Sequence, residues 1–316
     1  MRIAPSIVLA ALASPAWASS GPWVPGPGET QVFIGGDAQR FGHLRITGED
    51  GEPVVLDVDE GISAVDLKAI ASYGILGKFE LEGTVPISHV YANRDDGGVC
   101  TLLGPGSCST VDTFGIFVLR GKGLVLDELA GSPITLALGT ELRHGAFTFP
   151  DRWRVTNTGE GTFDMGGFAD VGRVGGLGAD GSWAAYLELG GRYRFPNTTT
   201  YESADGKETV SAPGSEWFGQ VDFLVSPTFP IAFGPEITGL WRPTGLAWYE
   251  LDFADVDRFG ALKVALVRAG GKIIIRNRTG TSFVLSGLGT VFAWNNPSDI
   301  FLVSTGVGFP LGKKDR

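Results

Sequence analysis

The chain has 316 residues, 43% of them hydrophobic, and a formal net charge of −10. That much apolar content excludes an intrinsically disordered chain, and the acidic balance argues against a nucleic-acid partner, which selects basic surfaces. Glycine is abundant at 48 residues and has no collagen-like period, which suits a sheet protein with tight turns and a crowded interior.

The N-terminus has the pattern of a secretory signal peptide. Arg2 supplies the positive n-region, Ile3–Ala13 is a short apolar run, and Ala16-Trp17-Ala18 fits the small-x-small cleavage pattern, with the cut after Ala18. An ordinary buried N-terminal helix is the competing reading. The apolar run is shorter than the roughly 20 residues a membrane-spanning helix needs, and no later window is long and apolar enough. The expected organisation is a signal peptide over 1–18 and a single domain over 19–316.

From residue 30 onward the recurring signal is an alternation of period two, which in a strand sends successive side chains to opposite faces. Phe79, Leu81, Gly83, Val85 and Ile87 share one face, with Lys78, Glu80, Glu82 and Thr84 on the other. Ile134, Leu136, Leu138 and Leu142 alternate with Thr135, Ala137, Gly139, Glu141 and Arg143. Trp183, Ala185, Leu187, Leu189, Gly191, Tyr193 and Phe195 alternate with Ala184, Tyr186, Glu188, Gly190, Arg192 and Arg194. Twelve such strands are expected, over 30–41, 66–76, 78–91, 111–125, 133–146, 162–176, 182–195, 216–226, 229–242, 258–276, 281–294 and 299–310.

A soluble sandwich also alternates, so the connections matter more. Long ones (42–65, 92–110, 147–161, 196–215, 243–257) alternate with short ones (77, 126–132, 177–181, 227–228, 277–280), and only the last, 295–299, breaks the rule. An even strand number, short turns at one end and long loops at the other are the pattern of an outer-membrane barrel. The expected fold is therefore all-β: a transmembrane antiparallel up-and-down β-barrel of about 12 strands, with short periplasmic turns and long extracellular loops. The expected address is the outer membrane of a Gram-negative bacterium, with outer-membrane lipid and the barrel-assembly machinery as partners. Aromatics agree, since Tyr73, Tyr91, Trp183, Tyr193, Trp217, Trp241, Phe292, Trp294 and Phe309 all fall near expected strand ends, as interfacial girdles require; caps on an ordinary sheet core are the alternative.

Three features resist the pattern. Pro86 and Pro235 lie inside expected strands, where a proline belongs at a bulge or an edge. Leu262, Val264 and Leu266 face one way and Ile273 and Ile275 the other, which a bulge at Ala269-Gly270-Gly271 would repair, the alternative being a turn there that changes the strand count by two. The last two strands are apolar on both faces, so their inner side must pack against something.

The segments ASYGILGKFELEGTVPISHVYA, TFDMGGFADVGRVG and IIIRNRTGTSFVLSGLGTVFAW resemble a broad family of proteobacterial outer-membrane barrels, often labelled as transporters or linked to meta-pathway phenol degradation. The likeness spans most of the chain and rests on a "YG-hydrophobic" turn, a "hydrophobic-Pro" strand end and an "RN-TG" hairpin. It implies an outer-membrane barrel that moves small hydrophobic or aromatic compounds, and it carries no functional residues onto this chain. The ending departs from the usual aromatic final residue, because Phe309 is followed by PLGKKDR.

The expected pore lining is the polar side of the strands: Glu80, Glu82, Arg120, Glu141, Arg143, Glu188, Arg192, Arg194, Asp222, Glu236 and Arg242, with Lys68, Asp164 and Gln220. Mixed charges there can set a transverse field, as charge rings do in channels, or pair with one another and close the interior. A twelve-strand barrel has a backbone diameter of roughly 24 Å, leaving about 10–12 Å between side chains. Passage or binding of a small solute is the leading expectation; a structural or adhesion barrel with a closed lumen and a membrane-embedded lipid-modifying enzyme are the alternatives. GRVGGLG at 172–178 is not a nucleotide-binding fingerprint, and no Walker lysine, H-E-x-x-H or G-x-S-x-G occurs. No catalytic residue, cofactor or metal is expected. His43, His89 and His144 lie at outer strand ends or in loops, and an enzyme would have to use a base such as His144 beside a serine. Acidic residues crowd the long loops (Glu49, Asp50, Glu52, Asp57, Asp59, Glu60; Asp95, Asp96; Asp252, Asp255, Asp257) without matching a calcium loop; solvated charge is the simpler reading.

Cys100 and Cys108 stand in a Gly/Ser/Asp-rich stretch of an expected outer loop. After export the compartment is oxidising, so a disulfide between them is the default; two free thiols are the alternative. Intact protein is expected not to react with a thiol-alkylating reagent until it is reduced, as read by mass spectrometry. Alkylation at both cysteines without reduction contradicts the bond.

Overall fold

The computed structural model describes residues 21–47, 50–92, 111–114, 117–144, 163–178, 181–195, 197–202, 208–211, 215–244, 263–297 and 301–311. The alternating segments form strands β1 (Thr30–Thr47), β2 (Pro53–Ile75), β3 (Phe79–Ala92), β4 (Val111–Phe114), β5 (Phe117–Leu126), β6 (Thr135–His144), β7 (Phe163–Leu177) and β8 (Gly181–Arg194). They continue as β9 (Asn197–Glu202), β10 (Glu208–Ser211), β11 (Glu216–Thr228), β12 (Ile231–Arg242), β13 (Val264–Arg276), β14 (Ser282–Trp294), β15 (Asn296–Pro297) and β16 (Phe301–Leu311). β4 and β5 share one wall against β3, β15 is a short bridge on β1, and β9–β10 form a hairpin of their own. The remaining strands pair antiparallel in sequence, and β1 pairs with both β2 and β16. The sheet closes on itself as a barrel of twelve walls.

Boundaries differ from expectation where the chain leaves the barrel wall. β1 and β2 stay paired as far as Thr47↔Pro53, because a hairpin beyond the bilayer keeps its ladder without needing one apolar face. The expected 196–215 loop contains the β9–β10 hairpin. Lys263 lies outside β13, which starts at Val264.

Facing follows the alternation. On β8, Ser182, Ala184, Glu188 and Arg194 are buried, while Leu189 and Tyr193 are more than half exposed, at 57% and 54%. Leu138, Val221, Phe233, Ile273 and Leu285 are exposed in the same way on other walls. The outside is thus apolar and the inside polar, the inverse of a soluble domain and the arrangement hydrocarbon requires. Aromatics rim the belt. At the long-loop end Trp217 pairs across strands with Trp241, both outward, and Phe163, Phe195 and Tyr193 pack ring on ring at 5.6 and 5.0 Å. At the short-turn end Trp183 stacks on Phe223 at 6.2 Å.

The resisting features have physical explanations. At Pro86 the ladder to the next wall shifts by one residue, between Thr84↔Val118 and Ile87↔Phe114. At Pro235 the ladder to β11 skips Phe223 and Leu224, while the pairing Pro235↔Gly271 with β13 is unbroken. A missing donor is tolerated where the ladder is already interrupted. The expected bulge at Ala269-Gly270-Gly271 is absent. Val264, Leu266, Lys272, Ile274 and Arg276 are all buried on one face of β13, so the strand keeps its phase and merely carries apolar side chains inward at its outer end. The irregularity sits instead between Val267↔Phe292 and Arg268↔Thr290, which makes Val291 of β14 the extra residue.

The inner side of the last strands is filled by Phe33 of β1. Its ring lies over Gly306, where a Cβ would come within 2.0 Å of Phe33 Cζ. The same device recurs at Gly139 beneath Phe168 and Gly190 beneath Phe218, with corresponding distances of 2.2 and 2.3 Å. At these three inner-wall positions glycine makes space for a neighbouring ring.

Leu187→Arg on the outward face of β8 is expected to destabilise the barrel by about 2–4 kcal/mol, and arginine at Tyr193, near the water boundary, by less. Denaturant titration in lipid vesicles checks this. Equal costs at both depths contradict a bilayer-facing wall.

Candidate functional site: the lumen and its charge network

The lumen is layered. Near the short turns it is apolar and small: Phe33, Ile70, Leu224, Ala232, Ile274 and Val284 form one buried cluster, bordered by Ser72, Ser182, Ser226 and Ser282.

The next layer outward is charged. Lys272 Nζ lies 2.5 Å from Asp222 and 3.1 Å from Glu236. Gln220 Nε2 donates to Tyr186 Oη, Asp222 and Glu236 at 3.0–3.2 Å, and Ser286 Oγ donates to Glu236 at 2.6 Å. Elsewhere on the wall Lys122 of β5 meets Glu80 on the neighbouring β3 at 3.0 Å and Asp170 on β7 at 3.8 Å, and Lys68 of β2 meets Asp37 of β1 at 2.6 Å. Arg120 bridges Glu141 at 3.3 Å and Glu188 at 2.9 Å, with its guanidinium over Phe168, 4.0 Å from the ring centre. Glu82 is buried beside them, paired across strands with Arg120. The void bounded by Glu80, Glu82, Arg120, Lys122 and Phe168 is about 10 Å³, room for about one water. The charged side chains of this layer are themselves buried, so the 10–12 Å opening expected from backbone geometry is narrowed here by long side chains of opposite charge that pair along the wall.

The outermost ring is rich in arginine. Glu216, the first residue of β11, is approached by Arg143 at 3.7 Å, Arg192 at 3.5 Å, Arg194 at 3.4 Å and, in a short hydrogen bond, Arg242. Asp164 lies 3.8 Å from Arg143 and 3.7 Å from Arg194. Arg192 also reaches Glu141 at 3.5 Å and stacks over Phe218 at 4.3 Å.

The short-turn end is crossed by residues 21–29, ahead of β1. Pro22 and Trp23 are buried. Trp23 packs edge-on against Tyr186 at 6.3 Å, and its Nε1–H donates to Glu128 at 3.2 Å. Lys122 Nζ donates to the Gly21 carbonyl at 2.6 Å. Glu128 sits in the β5–β6 turn, whose one-turn helix is capped by Asp127, and also accepts from the Val174 amide at 3.1 Å. At Gly172 a Cβ would lie 2.7 Å from Pro22, so glycine is required where the segment touches the wall. This strap runs from the β1–β2 wall, where Gly28 donates to Gly74, into the lumen beside β7 and β8. The larger hollow, about 480 Å³, lies at the same rim around Phe229, Pro230 and the 277–281 turn.

All eleven residues expected to line the pore face inward, and ten of them share ion pairs in three groups: one around Arg120, Glu141 and Glu216, one at Lys122 and one at Lys272. Lys122, Asp170 and Lys272 occupy the same alternate positions and belong with them, as does Glu216 at a strand start. The strap and Trp23 had no signal in a search for alternation. His144 is exposed on the outer face against Phe163, away from the lumen, and His43 is exposed. The side chain of His89, Cys100, Cys108 and most of the acidic loop residues lie outside the described residues.

No family model matches the sequence, and no curated protein matches it. Among solved structures, an outer membrane channel from Pseudomonas putida F1 is similar over 92% of this chain and 97% of its own, with a TM-score of 0.65 and 12% identity. The shared feature is the barrel fold. The NanC porin overlaps less well, with a TM-score of 0.45 over 89% of this chain and 100% of its own, at 8% identity.

Lys272→Met is expected to cost about 3–5 kcal/mol, because it leaves Asp222 and Glu236 buried without their cation. Denaturant unfolding in detergent reads the loss. A change below about 1 kcal/mol, the size of an exposed pair, contradicts a dry charged layer.

Proposed function

We propose that this protein is a passive channel for small solutes in the outer membrane of a Gram-negative bacterium, with the strap of residues 21–29 governing its periplasmic exit. The supporting observation is an apolar-belted barrel whose inner face carries an arginine ring, a charged layer and, beyond one apolar layer, a rim of serines. Among the described residues the strap is the one backbone segment that enters the lumen, the rest of its filling being side chains of the wall. In this reading the signal peptide is removed after Ala18, the barrel-assembly machinery inserts the chain into outer-membrane lipid, and the disulfide between Cys100 and Cys108 ties an outer loop. The charged mid-lumen restricts passage to small solutes, and the resemblance to the phenol-degradation barrels favours an aromatic one.

The strap is held by a few hydrogen bonds, each worth about 0.5–1.5 kcal/mol net, and by the burial of one tryptophan. Its release is therefore far less costly than opening the wall. The tight ion pairing favours one rival, a structural barrel with a closed lumen. Planar-bilayer recording separates the two. Wild-type protein is expected to give small unitary currents, and a variant lacking residues 21–26 currents several-fold larger. If both proteins fold, as shown by heat-modifiable migration, and neither conducts, the closed barrel is correct.

A further inference from the structure

Four guanidiniums converge on the Glu216 carboxylate from three different strands: Arg143 on β6, Arg192 and Arg194 on β8, and Arg242 on β12, all within 3.7 Å. Three strands carry these arginines and β11 carries the acid, so the sheet wall fixes the geometry. Each guanidinium presents a rigid planar fork suited to two-point binding of a carboxylate. The Phe218 ring lies under the Arg192 guanidinium, 4.3 Å from it, and helps to hold that fork in place. The cage also has a position that matters. Arg143 is the penultimate residue of β6, Arg194 and Arg242 end β8 and β12, and Glu216 begins β11. It is the first ring of inward side chains that a solute entering from the long-loop end meets on these strands.

We propose that this cage is the recognition site for the solute, and that the solute class is a small molecule bearing a carboxylate. Resting on the channel reading, the inference gives Glu216 the part of a tethered competitor. Its carboxylate occupies the guanidiniums when the lumen is empty and yields some of them to the incoming anion. Like-charged arginines packed this closely in a low-dielectric lumen need an anion among them, so an arriving carboxylate substitutes for Glu216 without leaving the cage unneutralised. A neutral solute of the same shape gains nothing from the exchange.

Benzoate and its neutral analogue benzamide are the probes, on the folded full-length protein. Isothermal titration in non-ionic detergent measures binding independently of conduction, and planar-bilayer recording measures block of the current. Wild-type protein is expected to bind benzoate and not benzamide. Glu216→Gln, which removes the competitor, is expected to bind benzoate about tenfold more tightly, the worth of one hydrogen bond to a charged group. The double variant Arg194→Gln/Arg242→Gln is expected to lose binding. Equal binding of the two probes, or benzoate binding that Glu216→Gln leaves unchanged or weakens, overturns the proposal. If Glu216→Gln does not fold, the benzoate–benzamide difference on wild type and its loss in Arg143→Gln decide the matter. Benzoate binding without current in any variant upholds the cage and refutes the channel.

Discussion

A strand that crosses hydrocarbon must satisfy its backbone hydrogen bonds on both edges, because no water is there to accept them. In this chain the requirement is met by β1, which pairs with β2 on one side and with β16 on the other. Closure by those two ladders divides every wall into an outer and an inner face and assigns the alternate residues to them. The apolar belt, the aromatic rims and the charged lumen all follow from that one seam.

Closure also creates the energetic problem of the interior. A twelve-strand circumference encloses more space than short side chains fill, and the inner positions carry Arg, Lys, Asp and Glu. Burying such charges is costly unless they are paired and hydrogen-bonded. The molecule answers in three ways. Long side chains pair along the inner wall, as Arg120 does with Glu141 on the next strand and Glu188 two strands further. Rings lie flat on glycine, as Phe33 does on Gly306. The strap brings Pro22 and Trp23 in from the short-turn end. The wall is thereby rigid, while the contacts that fill the lumen are side-chain contacts that can exchange partners. The proposed channel role depends on that difference between wall and filling.

Much of this was legible in the sequence because period two is an unambiguous signal when one face must be apolar. The twelve segments, the ends carrying the long loops and the inward residues from Glu80 to Arg242 were read from it. What failed has physical causes. Val264 and Leu266 are apolar but point inward, so hydrophobicity alone suggested a phase change on β13 that the continuous register excludes. The β1–β2 ladder beyond Arg40 carries no lipid constraint and so no clean alternation. Trp23 belongs to no strand, and its role arises from Glu128 and Tyr186, more than a hundred residues away in sequence. Glu216 looked like a strand boundary; four arginines from other strands make it the centre of a cage, a fact about register and not about local pattern.

The division of each wall into a lipid face and a lumen face is tested most directly on β8. Single cysteines placed in turn at positions 183–193 of a variant without Cys100 and Cys108 are labelled with a small fluorophore, and the protein is reconstituted in bilayers containing a lipid-attached quencher. Strong quenching is predicted at 183, 185, 187, 189, 191 and 193, weak quenching at the even positions between them. Quenching that does not alternate, or that peaks at the even positions, contradicts the barrel described here.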